Sequence, residues 1–385
     1  MENANKRQLG QFFTKNSDYI LNNLDRFIRG KSITDPFAGD GDLIQWSKKN
    51  GAKEVIGYDI DERYINHKTI YKNDSILEPK EYKFVLTNPP YLNINKANDQ
   101  IKGDYFCKFN FEDLYQISLA SIMKSEEGIV IVPINFLSAE NSKGIRNLFF
   151  SKFKIIELNY FKEKVFSDTT NNVVAFYYKK LAYPEDKFSF KINIYPENKA
   201  SEIKLEKKYG WKIAGDFLNK IEDVKNILKI RRLTESDIKP GKIKAIAAYN
   251  HIENIIPIKI SEDLQKIIDS NIIFLKAIDT GSKDGKIALE NIKQYGVDCL
   301  ISKESSRHMI YLVFENEISI KDQEKIILRF NQKLNQLRDD YLSLFLTNFR
   351  DNDRKRISFD FVYKFINYIY INEINKNLRP NTLNI

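Results

Sequence analysis

Apolar residues in the first 180 positions follow two alternating rhythms. Short runs read as strands: 32–35, Glu54 to Asp59, Phe84-Val85-Leu86, Gly128 to Pro133, Ile155 to Leu158 and Val173 to Tyr178. Between them apolar positions recur at helical spacing. Tyr19, Ile20, Leu21, Leu24, Phe27 and Ile28 predict a helix with Ser17 as N-cap and Gly30 as its stop. Further helices are predicted over Leu43 to Lys48 (closed by Gly51), after Asp61, from Leu114 to Met123 and from Ser142 to Phe150. Strands alternating with helices predict an α/β domain, residues 1–180, built on a doubly wound, mostly parallel sheet.

The rhythm stops there. Residues 181–210, with Pro184, Pro196 and many Lys and Glu, read as a linker or domain entry. Beyond it the pattern predicts a helix near 216–230 and strands near 272–278 and 309–315. Ile326, Ile327, Phe330, Leu334, Leu337, Tyr341, Leu344 and Phe345 share a face, which predicts a long helix from Lys321 to about Phe349. A last helix is expected from Phe359 to Tyr370. This mixture describes a second, α+β domain over 211–385.

Composition changes the picture modestly. At 385 residues and 42% hydrophobic content the chain can bury two cores, and disorder is disfavoured. A formal charge of +9, with the excess leaning to the second half, favours a polyanionic partner such as nucleic acid. Cys107 and Cys299 lie far apart without His or Cys at metal-ligand spacing, so neither a disulfide framework nor a metal site is expected. The N-terminus lacks an apolar signal core and no run approaches a membrane span, so a cytoplasmic protein is expected. No repeat, helix-turn-helix signature, zinc finger or nuclease constellation stands out.

The chemistry concentrates at Thr87-Asn88-Pro89-Pro90-Tyr91. Consecutive prolines end the strand, leaving Asn88, the Pro89 carbonyl and the Tyr91 ring at the C-terminal edge of a sheet, where α/β proteins bind ligands. Two acceptors there could hold the hydrogens of a conjugated amine, draw its nitrogen towards tetrahedral geometry and aim its lone pair at an electrophile, while the ring stacks on the base. The alternative is a simple Pro-Pro turn with Asn88 as a local cap. Upstream, Asp35-Pro36-Phe37-Ala38-Gly39-Asp40-Gly41-Asp42 turns tightly from strand to helix. It carries three acids and no Lys or Arg, which would repel a pyrophosphate and welcome an ammonium or sulfonium. Asp59 ends the second strand, where ribose hydroxyls are gripped, although it or Asp61 could equally cap a helix. Asp74 occupies a similar place and could accept an adenine amine or serve a turn. In the second half, the loops holding Lys283 and Lys286, Arg307, and Arg354, Lys355 and Arg356 are candidate DNA contacts; solvated surface loops are the alternative.

Together these stretches resemble the S-adenosylmethionine-dependent DNA adenine-N6 methyltransferases, in the group where the cofactor segment precedes Asn-Pro-Pro-Tyr and a target-recognition domain comes last. The resemblance covers roughly residues 8–180 and implies a Rossmann-like sheet binding S-adenosyl-L-methionine. It places Gly10 to Thr14, with Phe12, over the cofactor, and Asp35, Pro36, Ala38, Gly39 and Gly41 around its methionine part, with Asp35 near the amino group. Asp59 would take the ribose, Ile60 would pack on the adenine, and Asp74 with Ser75 would meet the adenine edge. Asn88, Pro89, Pro90 and Tyr91 would form the catalytic segment, and Phe166 would contact a flipped base. The chain departs from the family pattern at Lys15, often Pro, and Ser118, often Phe. The expected setting is a monomer acting on double-stranded DNA, with any cognate restriction endonuclease acting separately. Methylation of a glutamine amide or an RNA base is the nearest rival, disfavoured by the 205 residues that follow position 180. A catalytically silent DNA-binding module is another.

Overall fold

The structure, a computed structural model, describes residues 14–166, 172–279, 286–348 and 354–375. These fall into two compact units, the first taking the described residues up to Gly215 and the second those from Asp216 onward.

In the first unit β1 (Ser32–Asp35), β2 (Glu54–Asp59), β3 (Ile70–Lys72), β4 (Tyr82–Thr87), β5 (Ser125–Pro133), β6 (Phe153–Phe161), β7 (Val173–Lys180), β8 (Lys187–Tyr195) and β9 (Lys199–Glu206) form one sheet, ordered β3-β2-β1-β4-β5-β7-β6-β8-β9. β1 to β5 are parallel, β7 runs antiparallel between β5 and β6, β8 lies parallel to β6, and β9 closes the edge antiparallel. This is the mostly parallel α/β sheet expected. β4 is buried at every position except Lys83, and β5 from Gly128 onward, which explains their continuous apolar runs. Gly128 is obligatory: a Cβ there would lie 2.5 Å from the Val85 carbonyl oxygen. Helices α2 (Asp42–Lys49), α3 (Leu114–Ser121) and α4 (Lys143–Phe150) follow the pattern read above.

Three expectations in this unit need correction. Residues 181–210 are not a linker, because β8 and β9 extend the sheet; Phe188, Phe190, Ile192 and Ile194 alternate inward along β8. The helix expected over 17–28 is only α1 (Ser17–Ile20), followed by turns and a single 3₁₀ turn, Asp25–Phe27. The buried Asn159 side chain on β6 donates to the Ile20 and Asn22 carbonyls at 3.1 and 2.9 Å, and Asn23 takes φ +64°, so the helical ladder stops. Ser17 lies inside α1 and donates to the Thr14 carbonyl instead of capping it. After Asp61 only one 3₁₀ turn forms, Glu62–Tyr64, with Asp61 as its cap.

The second unit begins with α5 (Gly215–Glu222), shorter than the 216–230 expected, because Ile230 to Arg232 are drawn into β10 (Ile230–Arg232) against Phe314 to Leu312. β10, β16 (Met309–Phe314), β13 (Ile273–Lys276) and β14 (Ala288–Asn291) make one sheet; β12 (His251–Ile260), β11 (Ile243–Tyr249) and β15 (Cys299–Ile301) make another. Leu264 and Ile268 of α6 (Glu262–Ser270) pack with Ala247, Phe274, Cys299 and Tyr311 in the core they share. The long helix α7 (Ile320–Asp340) ends before the expected Phe349, where Leu342 and Ser343 both adopt positive φ. A short hairpin, β17 (Thr347–Asn348) with β18 (Lys355–Arg356), precedes α8 (Phe359–Ile369). This unit is α+β, as expected. Among the described residues no helix is long and apolar enough to cross a membrane.

Candidate functional site

The sheet order reverses between β1 and β4, and an open α/β sheet has a crevice at the strand C-termini there. A cleft of about 820 Å³ occupies that place. Its walls come from the turns that follow four parallel strands: Asp35 to Asp40 after β1, Asp59 and Ile60 after β2, Asn73 to Ile76 after β3, and Asn88 and Pro90 after β4. Thr14, Asp42, Leu43, Ile101, Tyr105 and Leu114 complete it.

The turn after β1 needs its glycines: Gly39 and Gly41 have φ of +52° and +89°, where a side chain is strained. The main chain thereby doubles back and starts α2 with Asp42 facing the cleft. Asp35 is buried; its Oδ1 accepts from the Thr87 hydroxyl at 2.7 Å and the Phe37 amide at 3.1 Å. Burial pushes its pKa up to about 7, against the lowering effect of those two donors and with a further push from Asp59. Asp59 is shifted up by burial and opposed by the amides it accepts, Asp61 at 2.8 Å and Gly39 at 2.7 Å. Asp61 caps its own turn, leaving Asp59 to the cleft. Ile60 is 43% exposed beside it, an apolar face at the rim. Asp74 accepts the Ile76 and Leu77 amides at 3.0 and 3.1 Å through Oδ1 and the Tyr105 hydroxyl at 2.9 Å through Oδ2.

At the other wall Asn88 is held from two sides. Its Nδ2 donates to the Thr14 hydroxyl at 3.1 Å, and its Oδ1 accepts from the Tyr91 hydroxyl at 2.5 Å. The Tyr91 oxygen also lies 2.8 Å from the Ile131 carbonyl on β5. The amide is thus held between two hydroxyls, each able to donate or accept. Tyr91 itself is 7% exposed, meets Tyr115 edge-on and is not part of the cleft wall. The open stacking face expected of it is covered, and its hydroxyl orients Asn88 instead. Pro89 and Phe166 are buried and do not line the cleft. Ser118, at the position often Phe in the family, is buried and donates to the Leu114 carbonyl of its own helix.

The structure therefore brings together Thr14, Asp35, Pro36, Ala38, Gly39, Asp59, Ile60, Asp74, Ser75, Asn88 and Pro90 in one cleft. Gly41 acts through its backbone conformation. Gly10 and Phe12 lie outside the described residues. Sequence reading missed Thr87 and Tyr105. A threonine closing an apolar strand beside a neighbouring strand's acid was a usable signal. Tyr105 had none, since residues 93–113 lack periodicity; Leu92, Ala97, Ile101, Phe106 and Leu114 pack it into place.

Among the DNA candidates, Lys286 and Arg307 are exposed, and Arg307 donates to the Glu304 and Ser306 carbonyls. Arg354 is half-buried and its Nε donates to the Asp279 carbonyl; Arg356 is half-buried in β18. Lys355 is a correction: at 2% exposure it faces inward with Ile357, two residues on in the same alternation, and cannot reach a phosphate. Lys283 lies outside the described residues.

Among the described residues, five aspartates and no Lys or Arg line the cleft, and the Asp42 Oδ2 is buried without a hydrogen-bond partner. A cationic ligand with apolar and planar parts fits; a polyphosphate does not. The charge of Asp35 gives a pH test. Its folded pKa lies above the unfolded value, so without ligand the fold loses stability as pH rises from about 4 to about 7 and no further above. Thermal melts of the wild type and Asp35→Asn should agree near pH 4 and diverge towards pH 7 in favour of the variant. Parallel curves would refute the assignment.

Residues 5–166 match the family model described as Eco57I restriction-modification methylase. No curated protein matches the chain. Among solved structures, the chain is similar to the type IIL restriction-modification enzyme MmeI in complex with DNA, at 12% identity and a TM-score of 0.46, covering 91% of this chain and 64% of that one. It is similar to the type IIG restriction endonuclease BpuSI at 10% identity and 0.43, covering 91% and 59%. A type I restriction-modification methyltransferase subunit from Streptococcus thermophilus matches at 14% and 0.33, covering 47% of each chain. The chain thus spans about half to two-thirds of the length of these proteins.

Proposed function

We propose that the chain is a DNA methyltransferase of a restriction-modification system that moves the methyl group of S-adenosylmethionine to N6 of an adenine within a specific short site. The observation that carries this reading is the placement of Asn88, its amide held between the Thr14 and Tyr91 hydroxyls, in the same cleft as the aspartates. The family match over residues 5–166 supports it.

Asp35, Asp59, Asp74, Ser75 and Ile60 would hold the cofactor, which supplies an electrophilic methyl group on a sulfonium. The remaining work falls to the chain. In this reading the Asn88 Oδ1 and the Pro89 carbonyl accept the two hydrogens of the adenine amine, which frees its nitrogen lone pair from the ring. The target base must leave the stack to reach this place, and the second unit, with Lys286, Arg307, Arg354 and Arg356, would hold the duplex.

The test is transfer of labelled methyl from S-adenosylmethionine to genomic DNA, to the same DNA already methylated by the protein, and to ribosomes, followed by nucleoside analysis. Label in N6-methyladenine of the naive DNA alone is expected. Label confined to ribosomal RNA or protein, or found in cytosine, would overturn the reading.

A further inference from the structure

The Asp42 carboxylate is a cost without a stated return. Its Oδ2 is buried in the cleft wall and has no hydrogen-bond partner among the described residues. Leaving a buried acceptor unpaired destabilises a fold, and more so when the group is ionised. Asp40 stands beside it and opposes its charge; the Thr14 amide and Lys15 offset this only in part, and burial dominates. The helix N-terminus and the Thr14 amide favour an acid at the first position of α2, but neither satisfies Oδ2.

A ligand that supplies the missing donor explains the residue. The donor must be an N–H or O–H group, so a sulfonium, which has neither, cannot be what Oδ2 awaits. Location narrows the choice further. Asp42 interacts with the Thr14 amide, and the Thr14 hydroxyl accepts from Asn88, so the orphan oxygen lies on the transfer side of the cleft. Asp59 and Asp74 stand on the turns after β2 and β3. In S-adenosylmethionine the ammonium is the cationic donor joined to the sulfur by a short carbon chain. Asp35, the other acid near this end, already accepts two hydrogen bonds on one oxygen and is held partly protonated.

We propose that Asp42, together with Asp35, receives the α-ammonium of the cofactor's amino-acid part. The inference rests on the functional reading above and gives a binding role to a residue to which the resemblance assigns none.

The test is calorimetric binding of S-adenosylhomocysteine and of its deamino analogue, which lacks only the α-amino group, to the full chain as wild type, Asp42→Ala and Asp42→Asn. The wild type should prefer S-adenosylhomocysteine by about tenfold or more, as expected for one charge-assisted hydrogen bond. Asp42→Ala should erase most of that preference by weakening S-adenosylhomocysteine, leaving the analogue within about twofold of its wild-type affinity. Melting curves without ligand establish that both variants fold. If the variants bind both ligands as the wild type does, or lose both equally, Asp42 is not the ammonium's partner. If the wild type binds neither ligand, the functional reading itself fails.

Discussion

Asn88→Ala is expected to lower the turnover number on DNA by about a thousandfold, the scale seen when one preorganised hydrogen-bonding group at a reacting centre is removed. The dissociation constant for S-adenosylhomocysteine should move by less than about threefold, because the aspartates that line the cleft are untouched. The separation of the two effects is the informative part. A residue that merely shaped the cleft would weaken binding and turnover together. Asn88→Asp should not rescue: a carboxylate would meet the Tyr91 hydroxyl well but would lose the donor to Thr14. Single-turnover transfer measured at saturating cofactor checks this, and a variant that retains wild-type turnover would remove Asn88 from the chemistry.

Arg146→Ala is expected to destabilise the first unit by about 3 kcal/mol or more, given that three carbonyls lose a charged donor. Arg146 is 1% exposed; its Nε donates to the Gly210 carbonyl at 3.0 Å and its NH1 group to the Phe136 and Ala139 carbonyls at 3.1 and 2.6 Å. No carboxylate among the described residues lies within ion-pair distance of it, and burial draws its pKa down to about 10. The guanidinium therefore ties its own helix to two main-chain segments, 136–139 and Gly210. At roughly 3 °C per kcal/mol for a unit of this size, the melting midpoint should fall by roughly 10 °C. Arg146→Lys should recover little, since an ammonium cannot reproduce the planar fork. Melting curves for the variants would show a merely space-filling role if Lys or Met restored the midpoint.

The parts of this molecule that could be read in advance are those where one local cause decides the structure. The apolar run of β4 must end at Pro89-Pro90, so Asn88 had only one place to be. The turn after β1 must bend sharply at Gly39 and Gly41, and its acids follow. Other parts depend on partners far along the chain. The helix expected over 17–28 gives way because Asn159, on a strand more than a hundred residues later, captures its carbonyls. Ile230 to Arg232 look helical until β16 offers them an edge. Tyr91 looks like a stacking platform until its hydroxyl finds the Ile131 carbonyl. β8 is a different case, because its alternation of Phe188, Phe190, Ile192 and Ile194 was present in the sequence and was obscured by the flanking prolines and charges.

The stretch between Thr14 and Gly30 is fastened to the sheet by polar contacts at fixed intervals: Asn23 to the Tyr195 hydroxyl, Arg26 to Glu157, and the Ile20 and Asn22 carbonyls to Asn159. Greasy surfaces tolerate sliding, whereas a row of such matched pairs works only in one alignment. Thr14, and through it the amide at the reacting centre, is thereby indexed to β6 by residue count. Substitutions on the outer side of this stretch should be harmless, while adding or deleting a single residue there would misalign a group that lies more than seventy positions downstream.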